Sequence, residues 1–75
     1  MTKADIDAFA KLLGFTLEVK PSPIYEGWIY TVVHEEQIRL VDWANSSKEM
    51  AIRRGTKHMR EYLIKRFKLG EQHGI

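Results

Sequence analysis

The chain predicts an α+β fold, a three-stranded antiparallel sheet with an N-terminal helix and a longer C-terminal helix in the order α-β-β-β-α. Apolar residues recur at helical spacing near both ends, and the three runs between them alternate in polarity or concentrate β-branched and aromatic residues. The connections between those runs are too short for a crossover, so neighbouring strands pair antiparallel. With 75 residues, 44% of them hydrophobic and 11% aromatic, the chain is a single domain over residues 1–75, well above the disordered regime. A domain of this size buries only about 60% of the surface its unfolded chain exposes. That leaves room for a binding surface and little for a deep catalytic cleft.

The first helix is expected over residues 3–13, where Ile6, Phe9, Ala10 and Leu13 fall on one helical face. Thr2 is placed to cap it, Asp5 stands at its third position, and Gly14 sits where a left-handed stop residue belongs. Phe15 to Lys20 then alternates strictly between apolar and polar, the period of a half-buried strand. Pro21-Ser22-Pro23 breaks that pattern and, with Glu26-Gly27, forms a loop. Trp28 to His34 and Gln37 to Trp43 read as a hairpin about a Glu35-Glu36 turn. Asn45-Ser46-Ser47 closes the last strand, and Ser46-x-x-Glu49 has the spacing of a capping box. The second helix starts there and runs to about Leu69, before Gly70 and a tail, residues 70–75, that is expected to fray. Internal repeats and low-complexity segments are absent from the sequence.

Charge is distributed unevenly. Residues 48–68 carry eight Lys or Arg against two acids, while the rest of the chain carries four bases against eight acids, within a net charge of +2. On a helical wheel Ile52, Thr56, Met59, Leu63 and Phe67, with Gly55 and Tyr62 beside them, form the stripe expected to pack on the sheet. Arg53, Arg54, Lys57, Arg60, Lys65 and Lys68 gather opposite. A charged face opposite a core stripe also simply keeps a surface helix wet. Such a face usually mixes Glu with Lys, however, and this one is nearly of one sign, which favours a polyanion as its target. The expected nucleic-acid contacts are Lys48, Arg53, Arg54, Lys57 and Arg60 on phosphates.

The second strand is apolar on both faces, with Trp28, Tyr30 and Val32 on one and Ile29 and Val33 on the other. If both helices lie on one side of the sheet, the other side carries Val41 and Trp43 with one of those two sets. The alternative function is therefore a protein-interaction module, a small inhibitor or accessory protein of phage or plasmid type, homodimeric through Trp28, Tyr30 and Trp43. Either tryptophan folded over the Pro21–Gly27 loop would instead be plain core. An acidic protein surface is a further partner that the basic helix could accept.

The element order and the start of the second helix resemble the double-stranded-RNA-binding domain. The resemblance rests on Ser47-Lys48, Ala51 and the small pair Gly55-Thr56, which match that family's last-helix segment, whereas Glu49 and Ile52 stand where it has lysines. Pro21-Ser22-Pro23-Ile24 likewise lacks the family's glycine-proline-x-histidine loop. The resemblance implies an α-β-β-β-α fold and phosphate contacts from the start of the last helix. A three-stranded sheet with a trailing helix also occurs in the small DNA-binding domains of some phage-type integrases, so RNA and DNA are both open.

Nothing in the sequence converges on catalysis. The absence of cysteine removes disulfides, thiolate nucleophiles and sulfur-ligated zinc. His34, His58 and His73 lack ligand spacing and are expected on a strand end, a charged helix face and the tail, and the five glycines form no phosphate loop. A non-enzyme without metal or cofactor is expected. With no apolar leader and no membrane-length apolar run, a cytoplasmic location is expected as well.

Overall fold

The computed structural model describes residues 2–69, ordered as helix α1 (Lys3–Leu13), strands β1 (Thr16–Pro21), β2 (Trp28–His34) and β3 (Gln37–Asn45), and helix α2 (Lys48–Phe67). The three strands form one antiparallel sheet in sequence order, β1-β2-β3. The architecture is the expected α+β fold, in the arrangement of the double-stranded-RNA-binding domain.

Both ends of α1 are closed by local chemistry. The Thr2 hydroxyl accepts from the Asp5 amide at 3.1 Å and the Asp5 carboxylate accepts from the Thr2 amide at 3.0 Å, a reciprocal capping box. Asp5 is held below its ordinary pKa by its hydrogen bond from the Thr2 backbone, then by the one to the Thr2 side chain. Gly14 takes the left-handed conformation, φ 90°, that ends the helix. The cap of α2 corrects the expectation: Ser47, not Ser46, accepts from the Met50 amide, at 3.1 Å. Lys68, itself left-handed at φ 56°, turns the chain out of α2. Gly70 and the tail expected to fray lie outside the described residues.

Pro21 extends β1 and pairs with Trp28, tolerated because β1 is an edge strand whose outer amides meet no ladder. Ser22 and Gly27 then close the loop through a 2.8 Å backbone hydrogen bond. The β2–β3 turn holds Glu35 and Glu36 at φ 53° and 63°. These left-handed values match the twist of a two-residue hairpin.

The helices share one face of the sheet. Beneath them lie Leu17, Val19, Trp28, Tyr30, Val32 and Leu40, and the core is completed by Ile6, Ala10, Phe15, Ala51 and Leu63. Fully burying a side chain such as Leu63 or Val32 contributes about 1.5–3 kcal/mol, so this one layer supplies most of the hydrophobic stabilisation. α1 rests mainly on α2, with Phe9 edge-on to Phe67 at 5.5 Å.

The stripe of α2 that faces the sheet is rotated from the expected one. Ala51, Gly55 and Leu63 are its buried residues, whereas Ile52 and Phe67 are exposed. A Cβ on Gly55 would stand 2.6 Å from Leu17 Cδ1 and 3.0 Å from Tyr30 Cγ. The helix backbone therefore comes down onto the sheet at its smallest side chains rather than its most hydrophobic ones.

Candidate functional site

The five basic residues expected on phosphates divide into two groups. Arg54 is tied into the fold: its guanidinium donates to the Ala44 carbonyl at 2.7 Å, to Asn45 Oδ1 at 3.1 Å and to Asp42 Oδ2 at 2.9 Å. Arg60 is likewise engaged, gripping both oxygens of Asp7 on α1 at 2.7 and 2.8 Å. That two-point bond is the first cause holding the Asp7 carboxyl below its ordinary value, and it raises Arg60. Lys48, Arg53 and Lys57 are exposed and make no salt bridge among the described residues.

The fold adds a lysine that helical spacing in α2 cannot reveal. Lys3, in the first turn of α1, lines a groove together with Ile6, Arg53, Lys57, Arg60, Glu61 and Ile64. Three cations that make no salt bridge among the described residues thus meet between the two helices, with Glu61 as the acid on the rim. Arg53 and Lys57 stand one turn apart, about 6 Å along the helix axis. Lys48, the first residue of α2, is exposed as well, on the side of the helix that carries Ala51 and Gly55.

The expected aromatic partner surface, Trp28 with Tyr30 and Trp43, does not form. Register places Trp28 and Tyr30 on the helix-covered face, where Tyr30 is only 3% exposed. The Tyr30 hydroxyl and His58 Nδ1 are joined by a hydrogen bond. Burial first, then Asp42, holds this phenol above its ordinary pKa. His58 is therefore half-buried in the α2–sheet seam, not on a charged helix face. His34, at the end of β2 as expected, is stacked on Phe15 at 4.0 Å and hydrogen-bonds the Leu13 carbonyl through Nε2 at 3.0 Å. Both histidines join helix to sheet.

Trp43 stands on the opposite, open face. There Glu18, Lys20, Pro23, Ile29, Thr31, Val33, Ile38, Val41 and Trp43 line a shallow groove. Of the two sets left open by the sequence, it is the isoleucine-valine set that accompanies Val41 and Trp43.

Among the described residues no group of three or more His, Asp or Glu side chains is placed to hold a metal ion, and no helix is long and apolar enough to cross a membrane. Comparison with protein-family models, with curated proteins and with solved structures finds no match in any of the three.

Proposed function

We propose that this protein is a non-enzymatic module that binds nucleic acid, holding the phosphate backbone with Arg53 and Lys57 on the outer face of α2, with Lys3 from α1 and with Lys48 at the start of α2. The observation that carries this reading is the convergence of Lys3, Arg53 and Lys57 on one groove, from two helices, with Glu61 on its rim and no salt bridge to any of the three cations among the described residues. Arg54 and Arg60 leave the expected contact set, because releasing either would break hydrogen bonds that join elements of the fold. Trp43 lies on the far side of the sheet, and Phe67, exposed on α2, is held edge-on against Phe9 beneath the Arg66 guanidinium, which favours a duplex backbone over stacked single-stranded bases.

Four neutralised phosphates correspond to a fall of log K against log salt with a slope of about −3.6 on duplex DNA. Titrating labelled duplexes with the protein at several salt concentrations measures it. Arg53→Gln combined with Lys57→Gln should halve the slope to about −1.8 while leaving the thermal midpoint unchanged. Binding indifferent to salt, or to this double substitution, would reject the reading.

A further inference from the structure

The open face of the sheet has a composition that water alone does not explain. An antiparallel sheet with one covered face normally turns polar side chains outward on the other. Here β3 turns out Ile38, Val41 and Trp43, exposed by 64%, 49% and 47%, above a floor of Ile29 and Thr31. The loop after β1 adds Pro23 to the groove and leaves Ile24 exposed beside it in the chain. An apolar patch of this extent marks an interaction surface.

Charge identifies the occupant. The polar members of the groove are Thr31 and two side chains of opposite sign on the β1 edge, Glu18 and Lys20. The register aligns Glu18 with Thr31 and Val41 in one row, and Lys20 with Ile29 in the next, where Trp43 also lies. The two rows are separated by about 7 Å along the strand.

We propose that this face binds a second copy of the same chain. The two sheets stack about a two-fold axis that runs across the strands between the two rows, at the roughly 10 Å separation of packed sheets. Glu18 of each copy then faces Lys20 of the other, forming two reciprocal ion pairs along the β1 edges. Val41 meets Trp43 along the β3 edges, and Ile38 and Val33 meet the Pro23 loop. The face satisfies its own charges and covers its own apolar rows, which is the requirement of a two-fold interface. Three short strands offer less than a standard specific interface of about 800 Å² per partner, so the dimer should be weak and its population should rise with concentration.

Sedimentation across a concentration series tests this on the intact protein, with thermal melts to verify folding. The parent should pass from monomer to dimer. Glu18→Lys alone and Lys20→Glu alone should each sediment as monomers over the same range, since both create like-charge pairs, whereas their equimolar mixture should dimerise because each then supplies what the other lacks. The exchanged double variant, Glu18→Lys with Lys20→Glu, should dimerise by itself. A parent that stays monomeric at millimolar concentration would overturn the proposal. So would a dimer insensitive to either reversal, or a mixture that fails to associate.

Discussion

Asp7 meets Arg60 through both carboxylate oxygens, the same two-point geometry with which a guanidinium grips a phosphate. Under the proposed function, the Asp7 carboxylate at the edge of the basic groove occupies Arg60 in the way a backbone phosphate would. Asp7→Asn should free Arg60, steepen the salt slope by about 0.9 and tighten duplex binding, as salt-dependent titration would read. It should also cost stability. The pair is partly exposed, with side chains at 24% and 38%, so solvent screening keeps that loss to about 1 kcal/mol or less. Because folding lowers the Asp7 pKa, the pair's stabilisation is present above the unfolded carboxylate range and disappears as pH falls through the folded value. Melting curves of variant and parent should accordingly converge in acid. Glu35 and Glu36 are a second residue-scale case, since L-residues in the left-handed region cost roughly 1–2 kcal/mol each. Glu35→Asn with Glu36→Gly supplies the residues that a two-residue hairpin favours, and should raise stability by about 1 kcal/mol, or roughly 4–8 °C in melting temperature.

At the scale of elements, the seating of α2 depends on a missing side chain. Alanine at position 55 would improve helix propensity by about 1 kcal/mol, but its Cβ would overlap Leu17 and the Tyr30 ring. Leu17 ends in a rotatable methyl, whereas Tyr30 is buried and tied to His58 and cannot withdraw. Overpacking of this kind costs about 1–3 kcal/mol, so Gly55→Ala should be net destabilising, seen as a lower denaturant midpoint with an unchanged slope. The same packing shows what periodicity could reveal and what it could not. Apolar spacing located α1 to the residue and both strands of the hairpin to within two. It misjudged the buried stripe of α2, because Ala51 and Gly55 carry little hydrophobic signal, and smallness is what lets the helix backbone approach the sheet. Strict alternation was similarly defeated in β3. Bulges beside Val32–Val33 and Trp28–Tyr30 bring Ile38 onto the open face and turn Asn45 inward, where it hydrogen-bonds the Trp28 carbonyl at 3.0 Å.

At the scale of the whole molecule, the covered face and the open face of the sheet divide the two proposed activities. Substitutions on α2 should leave self-association intact, and those at Glu18 and Lys20 should leave duplex binding by the monomer intact. The order of elements, the antiparallel sheet and the exposure of Lys48, Arg53 and Lys57 were all legible, since each follows from local pattern. The engagement of Arg54 and Arg60 was not. Their carboxylates lie 12 and 53 residues away in sequence, and only tertiary packing brings them together. The longer of those separations bears on how the chain is made. During synthesis the meander can assemble as it emerges, each strand finding its partner in the segment just before it. Among the described elements α1 is made before the three strands, yet the helix it rests on is made after them. Before α2 is made, α1 can be held to the meander only through contacts such as His34 to the Leu13 carbonyl, and its pairing of Asp7 with Arg60 and of Phe9 with Phe67 must follow.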